Sequence, residues 1–207
     1  VVHAYYNQDP GLKTYIDEIR NFHFKIVDDL GFPENHPLRH DLENCFVEID
    51  WACEEPPSRG YGFSYDQIVS QGELMSTKII SAYLMNSDIA NAWLDVRDVL
   101  QTDNTYREAK VNWELTEQLI KTRIPQLHAS NNIIVTQGFI GGTSENFTTT
   151  LGREGSDYTA AIFSYCLDAK EMIVWKDVPG VLSADPRYSQ DSVKLDQVSY
   201  HDAIELT

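Results

Sequence analysis

The run from Gly138 to Pro186 leaves this chain few architectures to choose from. A short apolar segment, Ile133-Ile134-Val135, leads in and predicts a buried strand. A glycine turn follows at Gly138 to Gly142. After a polar excursion, Gly152-Arg153-Glu154-Gly155-Ser156-Asp157 runs directly into a helix over roughly Tyr158 to Leu167. That helix is apolar on most sides, which predicts burial against a sheet. A second apolar run, Met172 to Trp175, then breaks at Lys176-Asp177-Val178-Pro179-Gly180. Strand, helix and strand in this order predict a parallel pair with a right-handed crossover. The expected fold is a three-layer α/β/α sandwich with a mainly parallel sheet. Both polar turns would then leave the carboxyl ends of their strands, where such sheets bind ligands.

The same stretch carries the chemistry. Gly152 and Gly155 let backbone N–H groups approach an anion closely. Ser156 or Asp157 is expected to cap the helix, whose N-terminus attracts negative charge. Arg153 adds a planar fork suited to a carboxylate or phosphate. No Gly-Lys-Ser/Thr ends the loop, so it is not a Walker A site. Glycine spacing alone fits an anion cradle and an ordinary capped helix equally well.

The remaining segments read mainly as helices. Tyr15, Ile19, Phe22, Ile26 and Leu30 recur at helical spacing over Leu12 to Leu30, and Gly31 ends the run. Gly31 to His40 reads as a loop. His36 and His40 are more simply solvated than a metal pair. Leu42 to Cys53 is a second helix, with its acidic residues on a wet face. A long helix runs from Ser64 to about Asn86, with Val69, Ser76, Ile80 and Tyr83 on one stripe. Glu73 falls in that stripe, and a carboxylate among buried positions needs a partner. Ala92 to Val96 is a short strand, and Trp113 to Arg123 a helix ended by Pro125. His201 begins a final helical pattern.

The formal charge of −16 over 207 residues disfavours nucleic acid or anionic membranes as partners. Three cysteines without a CxxC pair suit reduced thiols in a cytoplasm. No apolar run is long enough to span a membrane.

Several motifs, in one order along nearly the whole chain, sharpen this. Thr150-Leu151-Gly152-Arg153, Gly155-Ser156-Asp157-Tyr158-Thr159-Ala160-Ala161, Trp175, Asp177-Val178-Pro179-Gly180 and Asp185-Pro186-Arg187 resemble the central signature of the aspartate kinases. Those enzymes are members of the amino acid kinase family, and the likeness is closest to the monofunctional, lysine-sensitive type. Ser70-Gln71-Gly72-Glu73-Leu74-Met75-Ser76-Thr77, Ile19-Arg20-Asn21 with Phe24, and Trp93-Leu94-Asp95-Val96-Arg97 resemble further parts of it.

The resemblance implies transfer of the γ-phosphoryl of MgATP to the side-chain carboxylate of L-aspartate. The product is 4-phospho-L-aspartate, at the first step toward lysine, threonine and methionine. By the same resemblance Arg153 grips a carboxylate of aspartate, Glu73 holds the substrate amino acid, and Phe139, Ser156 and Asp157 lie near it. Asp157 is expected to orient a cation, and is the candidate catalytic residue. Lys176, Asp177, Leu182 and Arg187 fall where the family contacts ATP, and no residue is assigned as a dedicated Mg2+ ligand. The family usually has Gly where this chain has Glu154, Thr where it has Lys176, and often Tyr where it has Leu182. Glu154 is expected to point outward.

Val1 to Thr207 is expected to be an incomplete catalytic domain, with a Lys-Phe-Gly-Gly strand before it and ACT domains after it. On that reading the segment alone is inactive, because the family's phosphate-bridging lysine precedes Val1. The full-length protein is expected to be a cytoplasmic homodimer or higher homo-oligomer. The alternatives are a kinase acting on glutamate, acetylglutamate or carbamate, and a non-catalytic binder that keeps the pocket.

Overall fold

The computed structural model describes the chain except residues 177–179, 186, 190, 200 and 204–207. It divides into two compact units, Val1–Met172 and Ile173–Thr207.

The first unit begins with four helices, α1 (Val2–Tyr6), α2 (Leu12–Asp29), α3 (Pro37–Glu54) and α4 (Tyr61–Asn86). Helix α3 starts earlier than the sequence predicts, because Pro37 opens it rather than blocking it. Proline has no N–H to lose at a first helical position, and its φ is already helical. His36 is the N-cap, and its Nδ1 accepts from Leu38 N at 3.2 Å. The expected loop therefore ends at His36, and His40 lies inside a helix. Leu38, Leu42, Cys45, Phe46 and Ile49 form the buried face of α3.

One expected face, that of α4, is reversed, and the apolar set of α2 is split, with Ile26 and Leu30 packed against the core. On α2 the buried positions are Ile16 and Val27, while Tyr15, Ile19 and Phe22 are exposed. On α4 the core takes Ile68, Leu74, Met75 and Ile79, with Ser64, Asp66, Ser70, Gln71, Thr77 and Ser81. Ile80 and Tyr83, from the predicted buried stripe, face outward, and Glu73 is only half-buried. Apolar residues occur all round this helix, so periodicity identifies a stripe without saying which way it faces.

A βαβ unit follows. Strand β1 (Ala92–Leu94) leads through α5 (Trp113–His128) to β2 (Ile134–Thr136). The two strands pair in parallel, with Trp93 opposite Val135. Helix α5 runs through Pro125 instead of ending there, because its buried face, Thr116, Ile120 and Ile124, keeps the turn docked. Strands β3 (Ile140–Gly142) and β4 (Thr148–Thr150) make an antiparallel hairpin. Helix α4 closes against β4: Gln67 Nε2 donates to Thr148 O at 2.7 Å, and Thr148 N donates to Gln67 Oε1 at 3.1 Å.

Helix α6 (Gly155–Cys166) completes the unit. It buries one face, Gly155, Thr159, Ile162 and Cys166, and leaves Tyr158 and Tyr165 exposed. It is thus less enclosed than its composition predicts. Among the described residues Met172 to Trp175 forms no strand, where the sequence predicts one, and it is exposed. The partner of β2 is β1. An apolar run is a strand only where a neighbour offers a ladder, and that neighbour is not written in the run itself. In the second unit Leu182 bridges Lys194 in antiparallel fashion.

Candidate active site

The glycine turn after β2 and the start of α6 are built against one another. A Cβ on Gly138 would lie 2.9 Å from Ser156 Cα, and one on Gly155 would lie 2.8 Å from Phe139 Cδ2. Only glycine permits both approaches. The backbone of Phe139 is held from two sides: its N–H donates to Thr159 Oγ1 at 3.1 Å, and its carbonyl accepts from Leu151 N at 2.8 Å. Thr159 in turn donates to Gly155 O at 2.9 Å. Phe139 sits at φ +71°, a left-handed conformation that costs a phenylalanine energy and that the clamp sustains. Phe139, Ser156 and the first turn of α6, which includes Asp157, are therefore one assembly.

The start of α6 corrects one expectation. Its N-cap is Glu154, not Ser156 or Asp157, and no side chain caps the helix. Glu154 lies at φ +57°, a region glycine enters without strain. Its side chain does point to solvent, 67% exposed, and its Oε1 lies 3.6 Å from Arg153 Nε. The Arg153 side chain is 94% exposed, so this ion pair is weak and yields readily to a ligand carboxylate. An uncapped helix start beside an exposed guanidinium is suited to an anion.

Glu73 reaches the assembly through Thr77, the last residue of the Ser70–Thr77 motif, whose Oγ1 donates to Glu73 O at 3.1 Å, and through Gln137, which the sequence did not single out. One turn further along α4, Thr77 Oγ1 accepts from Gln137 Nε2 at 2.7 Å and from Trp93 Nε1 at 3.1 Å. Gln137 is 1% exposed and immediately precedes Gly138; its Oε1 accepts from Val96 N at 2.8 Å. Its only trace in the sequence is a polar residue where a strand meets a glycine turn. The Glu73 carboxyl has no hydrogen-bond or ion-pair partner among the described residues. Burial pushes its pKa above the usual glutamate value.

The expected nucleotide contacts fall in the second unit. Arg187 is folded onto Asp185, with Nη2 to Oδ2 at 2.7 Å and Nε to both carboxylate oxygens at 3.1 Å. The guanidinium holds the Asp185 carboxyl below its usual range. Leu182 lies in the bridge to Lys194, and Lys176 is exposed. Asp177 lies outside the described residues.

A model of the amino acid kinase family matches residues 6–207. The chain belongs to that family. Among amino acid kinases it is 34% identical to lysine-sensitive aspartokinase 3 of Escherichia coli (strain K12), over 92% of this chain and 42% of that protein. It is 36% identical to a chloroplastic bifunctional aspartokinase/homoserine dehydrogenase 1 of Zea mays, over 97% of this chain and 22% of that one. Its fold matches the crystal structure of E. coli aspartokinase III in complex with aspartate and ADP (R-state), with a TM-score of 0.85 at 34% identity. That match covers 95% of this chain and 44% of the other. The α/β amino acid kinase fold expected from the motifs is thus present, and the chain spans less than half the length of the relatives it matches.

Proposed function

We propose that this chain carries the amino acid substrate site of an aspartate kinase, which passes the γ-phosphoryl of ATP to the side-chain carboxylate of L-aspartate. The observation that supports this most is the fold match to an aspartokinase that holds aspartate and ADP, at 34% identity over 95% of this chain.

The substrate carries one ammonium and two carboxylates. Glu73, desolvated and without a partner among the described residues, is suited to the ammonium. Arg153 takes a carboxylate in its fork and exchanges its exposed contact with Glu154 for it. Phe139 and Ser156 form the wall between them. The acceptor carboxylate is already ionised at neutral pH, so transfer needs no general base. The barrier is repulsion between two anions, and positioning with charge neutralisation lowers it. Asp157, in the first turn of α6, cannot attract either anion and acts by orienting a cation.

Among the described residues no cluster of three or more His, Cys, Asp or Glu could cage a metal ion. Magnesium carried on nucleotide phosphates needs one or two protein carboxylates rather than a cage, a requirement that Asp157 or Asp177 fits. It would neutralise phosphate charge. Lys176, Leu182 and Arg187 are proposed to contact the nucleotide; for Arg187 this means releasing Asp185. The free thiols of Cys45, Cys53 and Cys166 accord with a cytoplasmic setting, and we propose a homo-oligomeric full-length protein.

Arg153→Lys in the full-length enzyme tests the reading. Replacing the fork by a point charge is expected to cost on the order of 2 kcal/mol, about thirtyfold in kcat/KM for aspartate. The KM for ATP should stay unchanged in a coupled ADP-release assay. An unchanged kcat and KM for aspartate would remove Arg153 as the substrate anchor.

A further inference from the structure

Gln71 and Glu73 are two positions apart on α4, so their side chains leave the helix roughly 200° apart. Glu73 belongs to the substrate assembly; Gln71 faces a cavity of about 490 Å3 that no residue of that assembly lines. The cavity lies between α3, α4 and the β3–β4 hairpin. A space of about 530 Å3 adjoins it, and the two share Glu48, Arg97, Asn146 and Phe147. The first alone is large enough to enclose a small metabolite.

One end of the cavity lacks a hydrogen-bond donor. Gln71 is 3% exposed, and its Nε2 donates to Glu48 Oε2 at 3.1 Å. Its Oε1 is buried with no hydrogen-bond partner among the described residues. An unpaired buried acceptor is costly, so a ligand donor that meets it as the side chain turns toward the cavity is favoured. With the Glu48 carboxylate beside it, the donor should be cationic.

The cavity also offers the opposite charge. Arg97 is not its source, since Asp95 occupies that guanidinium at 2.6 Å and its Nη1 donates to Thr148 Oγ1 at 3.0 Å. Arg59 is. Its guanidinium lies between two aromatic rings, 4.4 Å from the centre of Phe63 and 4.5 Å from that of Phe147. Among the described residues no carboxylate pairs with it. Stacking holds the fork in place, which lowers the entropic cost of gripping a carboxylate.

We propose that this cavity is a second small-molecule site, and that it takes a zwitterion with a primary ammonium at one end and a carboxylate at the other. The ammonium donates to Gln71 Oε1 and Glu48, and the carboxylate accepts from Arg59. Because the complementary groups are on different side chains of the same cavity, neither half of the ligand alone is sufficient.

Calorimetric titration with ω-amino acids of increasing length, from β-alanine through γ-aminobutyrate to ε-aminocaproate, tests this. Trp51, 70% exposed on the rim, gives a second readout by fluorescence. One chain length is expected to bind best, with butylamine and butyrate at least about tenfold weaker, as expected when one of two charged contacts is lost. Gln71→Leu and Arg59→Met should each weaken it by a similar factor while the unfolding midpoint is retained. Arg59 is exposed and Leu fills the volume of Gln71, so both variants are expected to fold. Binding of no ω-amino acid overturns the proposal. So does binding that survives both substitutions, or binding lost in Arg153→Met but kept in Arg59→Met, which would return the ligand to the substrate assembly.

Discussion

The first turns of α4 and its middle treat a carboxylate in opposite ways. Near the start, Asp66 is fully buried, and its oxygens accept from Arg107 N and Thr150 N at 2.9 Å and from Thr150 Oγ1 at 2.8 Å. Two turns later, Glu73 is half-buried with no donor among the described residues. Burial raises both pKa values, and for Asp66 these hydrogen bonds work against the rise. A carboxylate whose donors all come from its own chain is a structural strut. A carboxylate desolvated without donors has a vacancy that a cationic group can fill. The contrast lies in what surrounds each acid, since helix and residue chemistry are nearly the same.

Removing the strut should have the largest effect. Asp66→Ala would strip the acceptor from two backbone N–H groups and a hydroxyl at once. A stability loss of about 3 kcal/mol is expected, read as a lower urea midpoint with an unchanged m-value. A loss below about 1 kcal/mol, the scale of an ordinary surface change, would erase the distinction.

Thr77→Val probes the joint between the two kinds of site. It keeps the shape but leaves Gln137 Nε2 and Trp93 Nε1 without their acceptor. About 2 kcal/mol is expected from the two orphaned donors. On the proposed function, the same variant should also weaken aspartate use in the full-length protein, because Gln137 holds the turn that carries Phe139.

The smallest effect is at Glu73, and its sign is diagnostic. A carboxyl pKa raised on folding means that the folded state holds more protons than the unfolded state just above 4.5, the ordinary glutamate value. Stability therefore falls as pH rises through the interval from that value to the folded one. Glu73→Gln should flatten this slope relative to the parent, with midpoints compared across mildly acidic pH. A parent whose stability rises there through Glu73 would mean that the carboxylate has a partner after all.

What could be read from the chain beforehand follows the same division. The chain marks Gly138 as part of a turn and Gly155 as a place where an anion comes close; the neighbours in the structure are instead Ser156 and Phe139. Glu154 could be marked as a departure, and its positive φ explains why glycine suits that position. A parallel strand–helix–strand unit is present, but it is β1, α5 and β2, one step earlier than expected. Met172 to Trp175 has strand chemistry without a strand, since pairing depends on a neighbour elsewhere in the chain. The outward face of α4 is not legible, because that helix carries apolar residues on more than one side. Thr77 is visible only as the end of the Ser70–Thr77 motif, and Gln137 not at all, because their joint role exists only across a separation of 60 residues.

The way α4 closes against β4 has one more consequence. The amides of Thr148 and Thr150 belong to a short hairpin, yet their protons are held by side-chain oxygens of Gln67 and Asp66. Release of either proton to solvent therefore requires the helix to part from the hairpin. Their deuterium uptake would act as a clock for that opening, slower than a two-stranded ribbon alone would keep. It would also register any ligand that wedges the cavity between them.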